Sequence, residues 1–356
     1  MNLTQQNKRK RTRMMMTVMM ATLSIICMYK SNAQSTDNKK SVHVGLIYPI
    51  SNHGARAGEY TNVFSLNGIA GVSHEETSVS VAGVTNVIKE NGSGVQIAGV
   101  SNHIHKKAGG AQIAGVINTY ETANGTQIAG FGNIASDSVV GTQIAGFINT
   151  AGNVNGFQLG GFINTANNVD GMQTAGFINI AKKVKGVQLA GFINIADSSE
   201  YPIGIINIIS NGEQSVSVTT DETLTTLVSF RSGSRKLYGI LGIGGNFKNS
   251  TDAFALEAGI GANLLNKPSF RLSAEAVTIT LTGFNGGGYQ RNSLRIMPSV
   301  KVTDRIELFG GPTLSYVQTN TKDGRELMKH SIWDNGHHDL RGFTAGATGG
   351  VRYLLK

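Results

Sequence analysis

From Gly94 onward the chain repeats itself every 15 or 16 residues. The copies read GVQIAGVSN, GAQIAGVINT, GTQIAGFGNIA, GTQIAGFINTA, GFQLGGFINTA, GMQTAGFINIA and GVQLAGFINIA. Their glutamines are Gln96, Gln112, Gln127, Gln143, Gln158, Gln173 and Gln188, and weaker copies carry the central glycine at Gly71, Gly83 and Gly204. A fixed period of this length means one structural unit used over and over. Within a copy, residues alternate. Between Gly186 and Ala196 one face carries Gln188, Ala190, Phe192, Asn194 and Ala196, and the other carries Val187, Leu189, Gly191, Ile193 and Ile195. Period two with β-branched residues specifies strand and excludes helix. The copies hold no charged residue; charges such as Lys106, Lys107, Asp170, Lys182, Lys183 and Lys185 fall between them.

Two architectures accept such a unit. In a β-solenoid each copy is one coil, and Gln stacks on Gln and Asn on Asn. In an up-and-down barrel each copy is one strand of an antiparallel meander. An extended copy of about 11 residues at ~3.4 Å per residue, tilted by about 45°, spans roughly 26 Å, the height of an outer-membrane barrel's apolar band. The motif is also nearly palindromic: around Gly191, Ile193 mirrors Leu189, Asn194 mirrors Gln188 and Ile195 mirrors Val187. Antiparallel neighbours would then set Gln opposite Asn. The expectation is an all-β chain forming an antiparallel up-and-down transmembrane β-barrel of roughly 18 strands. The alternative is a β-solenoid followed by a C-terminal β-domain.

After Ile208 the repeat stops but alternation continues. Phe254, Leu256, Ala258 and Ile260 oppose Glu257, Gly259 and Gly261; Leu294, Ile296, Val300 and Val302 oppose Arg295, Ser299 and Lys301. One side of each strand is apolar and the other carries sparse charges of both signs, which a membrane barrel turns into its lumen. The lumen candidates are Arg231, Lys236, Glu257, Arg271, Glu275, Arg295, Lys301, Arg305 and Glu307. They would either bias a pore toward anions or neutralise one another inside a filled barrel. The barrel is expected over residues 42–356, with repeat strands at 66–209 and non-repeat strands at 214–356.

The first 33 residues hold Lys8, Arg9, Lys10, Arg11, Arg13 and Lys30, an apolar run from Met14 to Met28, and Ser31-Asn32-Ala33 before Gln34. That is the layout of a cleaved export signal, with a short linker at 34–41; the apolar run is short for a membrane anchor. The chain's net charge of +9, from 31 basic and 22 acidic residues, resides mostly in those six cations. Without them a nucleic-acid partner has no support in composition. The single Cys, Cys27, falls in the same segment, which excludes a disulfide framework.

The GxQxAGFxNxA copies, the segment Tyr201-Pro-Ile-Gly-Ile-Ile-Asn-Ile-Ile-Ser-Asn-Gly, and the Phe230-Arg-Ser-Gly-Ser-Arg and Tyr238-Gly-Ile stretches resemble a family of bacterial surface-repeat proteins noted in leptospires and widespread in Bacteroidota. The resemblance implies the outer membrane or surface of a Gram-negative cell and no reaction. Its expected partners are outer-membrane lipid or lipopolysaccharide and the outer-membrane assembly machinery. The function expected is a non-enzymatic outer-membrane surface protein with a pore, adhesion or envelope role and no cofactor; the alternative is a secreted or surface β-solenoid that binds or adheres.

Few residues suggest chemistry. Gly239 to Gly245 is glycine-rich but lies within an alternating strand with no helix after it, unlike a nucleotide loop. His103 and His105 share a strand face but lack neighbouring carboxylates. The loop from Asn320 to Leu340 gathers His330, Trp333, Asp334, His337, His338 and Asp339, a set able to stack on a sugar or bind a metal. An enzyme acting on lipid would need a Ser or Tyr beside a His at the barrel rim, and no local motif supplies that pair.

Overall fold

The computed structural model describes residues 41–248, 254–283, 288–328, 331–336 and 339–355. The export signal and all but the last residue of the linker lie outside them. The chain folds as two all-β units, a parallel β-solenoid of about ten coils and a closed eight-stranded antiparallel barrel. The single 18-stranded antiparallel barrel is therefore overturned.

Each repeat copy forms one flat coil, because its central glycine is a corner between two strands. The copy around Gly191 divides into Lys183–Ala190 and Ile193–Ala196. Successive coils pair in parallel with like residues in register: Gln158 on Gln173, Gln173 on Gln188, Asn164 on Asn179. The corner is tight. A Cβ on Gly191 would stand 2.2 Å from the carbonyl oxygen of Gly176 in the coil below. Gly186, which opens the same copy, needs a φ of 128°, a region only glycine enters freely.

The palindrome thus has a different physical origin from the one expected. Its two halves are the two faces of one coil folded back at the glycine. Gln188 and Asn194 both point into the narrow interior, and both are 0% exposed. Beyond them, away from the corner, the interior is apolar, built from Val139, Val154, Val169, Val184 and small alanines. Ser41–Ile47 lies parallel on the first coil, Thr61–Ser73.

The barrel strands are Glu213–Asp221, Thr225–Gly233, Leu237–Asn246, Phe254–Asn266, Phe270–Thr282, Tyr289–Lys301, Ile306–Thr319 and Leu340–Leu354. Neighbours in sequence pair antiparallel, and the last strand closes on the first, with Val218 opposite Val351. Turns 234–236, 267–269 and 302–305 join strands at one rim; the long connection 320–339 is at the other. That connection includes the short helix Lys322–Glu326 and the strand Ser331–Asp334, which pairs with the start of the last strand. No helix among the described residues is long and apolar enough to cross a membrane, which bears only on helices.

The last coil docks on the outer wall of the barrel. Asn207 donates its backbone N–H to Ser232 Oγ (3.0 Å) and its Nδ2 to the Ser232 carbonyl (3.3 Å). Ser234 Oγ donates to the Glu200 carbonyl at 3.1 Å.

Candidate functional site

Alternation along the barrel strands sorts side chains into two populations. Outward positions such as Val218, Ile243, Leu256, Leu294, Val300 and Leu308 are 51–64% exposed and apolar. Inward positions hold arginines and glutamates that are almost wholly buried. The polarity of a water-soluble barrel is inverted.

Glu275 is the hub of the lumen. Its Oε1 accepts from Arg231 Nε at 2.9 Å and from the Tyr238 hydroxyl at 3.0 Å, and its Oε2 accepts from Arg231 Nη2 at 3.2 Å. Arg295 and Arg352 approach it at 3.8 and 3.7 Å. Arg295 also donates to Glu257 at 2.8 Å, and Ser229 Oγ donates to the other oxygen of that carboxylate at 2.5 Å. Glu307 joins Arg352 (3.3 Å) and Arg271 (3.2 Å), and Arg271 continues to Glu213. The Phe309 ring lies among these charges, with the Arg231 and Arg352 guanidinium carbons 5.5 and 5.0 Å from its centroid. Buried arginines in this setting need every carboxylate, since an unpaired charge is costly away from water. Toward the other end, Arg291 pairs with Asp221 and with Glu222 at 3.5 Å. The cavity between Glu213, Arg231, Tyr238, Arg271 and Arg352 measures about 10 Å³, room for about one water.

Of the lumen candidates, Arg231, Glu257, Arg271, Glu275, Arg295 and Glu307 lie inside and meet one another. Lys236 and Arg305 are instead on the short-turn rim, where they reach the hydroxyls of Tyr201 (3.1 Å) and Tyr353 (3.3 Å). Lys301 ends its strand beside them. The sequence reading missed Arg291 and Arg352, although their alternation with apolar Leu294 and Val351 would have placed them inward. Glu213 and Asp221 end their strand, where alternation carries little signal.

The loop candidates do not form an assembled pocket among the described residues. Trp333 is 55% exposed, and Asp334 is engaged within its own turn, accepting from Ser331 Oγ (2.9 Å) and the Gly336 N–H (3.1 Å). Asp339 borders an open depression of about 400 Å³ with Arg341, Gln318 and Tyr289. His330, His337 and His338 lie outside the described residues. The remaining histidines, His43, His53, His74, His103 and His105, all lie in the solenoid half. His103 bonds Thr119 Oγ1 at 2.5 Å, and no metal-sized cluster of His, Cys, Asp or Glu exists among the described residues.

The solenoid supplies two stacked ladders. Each Asn from Asn86 to Asn194 donates Nδ2 to the Oδ1 of the Asn one coil on, at 2.8–3.0 Å, and the run ends at Asn207 against the barrel. The Gln ladder is broken once, where Gln143 donates to the Tyr120 hydroxyl at 2.7 Å and leaves Gln127 Oε1 without a partner. It ends at Gln188, whose register partner is Pro202. Outside, Phe131, Phe147, Phe162, Phe177 and Phe192 stack along the corner row with ring centroids 5.0–5.2 Å apart.

At the N-terminal cover, His53 stacks on Tyr60 and touches His43 at 3.1 Å. Burial and the neighbouring His43 pull His53 down to about 4, and burial lowers His43 as well. Both rings are neutral when folded, whereas unfolded histidines take up protons near pH 6.5. The cover is therefore expected to weaken as pH falls from about 6.5 toward 4 and to level off below that. Glu76, raised by burial, works in the opposite sense. Limited proteolysis against pH checks this, with a smaller acid dependence expected for His53→Asn.

Compared with family models, with curated proteins and with solved structures, the chain finds no match. The fold and its residues carry the functional reading.

Proposed function

We propose that the chain is a membrane-anchored scaffold of the Gram-negative outer membrane. The barrel is its anchor, and the solenoid is the working surface held beside it. The observation that carries this is the inverted polarity of the barrel: a wall of exposed Val, Ile and Leu around a lumen of paired Arg and Glu. Strands of 9 to 15 residues suit a tilted crossing of a hydrocarbon layer ~30 Å thick. The export signal expected at residues 1–33 supplies the route. Turns of three or four residues at one rim, where the solenoid docks, and the long connection 320–339 at the other match the periplasmic and outer ends of such barrels. Export and the barrel wall imply lipid and the outer-membrane assembly machinery as partners.

The filled lumen argues for a plug in place of an open pore. Fractionation tests the anchor: the protein should stay with outer membranes through an alkaline wash and require detergent for release. Recovery from the soluble fraction without detergent would overturn it. In a planar bilayer the purified protein is expected to give no conductance steps, and regular steps would overturn the plug.

A further inference from the structure

The corner row of the solenoid is apolar over its whole length. Val100, Val116, Phe131, Phe147, Phe162 and Phe177 are 36–48% exposed, and the repeat copies around them hold no Asp, Glu, Lys or Arg. The opposite edge carries Glu121, Asp137, Asp170, Lys182, Lys183 and Lys185. The solenoid is thus a blade with one oily edge and one charged edge. Its interior compensates in reverse, with Gln and Asn behind the oily edge and Val and Ala behind the charged one.

The docking to the barrel orients this blade. Glu200 reaches Ser234, and Gly212 lies against Gly233, both at the short-turn rim; a Cβ on Gly212 would be 2.0 Å from the Gly233 oxygen. The last corner, Gly204-Ile205, instead lies against Gly239, further along the wall, where a Cβ would meet their carbonyl oxygens at 2.3 and 2.4 Å. The corner row therefore runs into the barrel wall on the belt side of the rim. On the same outward face as Gly239 are its register partner Ile260 and Leu241, 49% and 39% exposed. The charged edge points past the rim. Oily edge and oily belt are one continuous surface.

We infer that the solenoid lies along the bilayer with its Gly-Phe corner row sunk among lipid acyl chains, on the short-turn side of the barrel. The occupant of this edge is lipid, because the edge continues a belt whose own neighbour is lipid; this rests on the membrane reading of the barrel. The geometry is that of an interfacial amphipathic element, with its apolar side sunk ~5–10 Å and its charges in water. Coils at ~4.8 Å spacing carry the contact outward by roughly 45–50 Å from the barrel wall, turning a small anchor into a broad one.

The test places a fluorophore on single cysteines, in a Cys27→Ser background, in the full chain in vesicles of phosphatidylethanolamine and phosphatidylglycerol. The sites are Phe162→Cys on the corner row, Lys185→Cys on the charged edge and Leu294→Cys on the barrel belt. Spin-labelled lipid should quench the probes at 162 and 294 at least about threefold more than the probe at 185, and aqueous iodide should do the reverse. Lipid quenching at 294 with iodide quenching at 162 would leave the barrel reading standing and overturn the sunken edge. Lipid quenching at neither site would overturn both. Protection of 162 from both quenchers would assign the edge to a second copy of the chain and overturn lipid as its occupant.

Discussion

Glu275→Ala is expected to cost the barrel about 3–5 kcal/mol, the range for removing one partner from a buried ion network. The carboxylate accepts two hydrogen bonds from Arg231 and one from Tyr238, and it stands within 4 Å of Arg295 and Arg352. Alanine leaves three guanidinium groups facing one another beside a cavity with room for about one water. Glu275→Gln keeps the shape and an acceptor but removes the charge, so it should fall between alanine and the native protein. The measurement is the urea midpoint of the folded barrel in detergent or vesicles, read as the heat-modifiable band on gels. An unchanged midpoint for Glu275→Ala would mean that the arginines neutralise elsewhere and that Glu275 is no hub. The Arg305 pair on the rim provides the contrast: removing its exposed bond to Tyr353 should leave the midpoint nearly unchanged.

Asn164→Ala is expected to cost the solenoid about 3–5 kcal/mol. Asn164 accepts from Asn149 and donates to the Asn179 oxygen at 3.0 Å and to the Thr174 carbonyl at 2.7 Å, and its side chain is wholly buried. Alanine takes a partner from three polar groups at once, at ~1–3 kcal/mol for each buried one left unpaired. Because coils touch only their neighbours, the damage should also split the unfolding transition. The comparison is Asn153→Ala at the charged edge, whose bond from Asn168 is exposed and should cost under ~1 kcal/mol. Thermal unfolding followed by circular dichroism checks both. Equal midpoints for Asn164→Ala and Asn153→Ala would show that the ladder does not stabilise the stack.

Much of this was legible in the residues. Alternation identified strands throughout, and in the C-terminal half it identified which side of each strand is apolar. That alternation was enough to assign Glu257, Glu275 and Arg295 to the lumen. The contacts among them were beyond it, because Arg231 and Glu275 lie on strands that are not hydrogen-bonded neighbours. Lys236, Lys301 and Arg305 show the limit at strand ends: past the last ladder bond, alternation stops predicting a side. In the repeats, an available signal pointed to the stack. In parallel register every residue touches its own equivalent, which rewards identical copies, whereas antiparallel neighbours gain nothing from identity.

The sequence by itself determined that this chain is β throughout, that its middle is one unit copied many times, and that its charges avoid those copies. It also determined the inward and outward sides of the later strands, since side-chain direction in a strand is a local property with a period of two. Only the tertiary structure decided what each central glycine does. A straight strand and a folded coil share the same alternation, and the choice between them turns on whether the next copy approaches from the side or stacks on top. The glycine backbones here stack so closely that a Cβ on Gly191 would meet the carbonyl of Gly176. That contact lies between residues a full repeat apart, so it belongs to the stack and to no single copy.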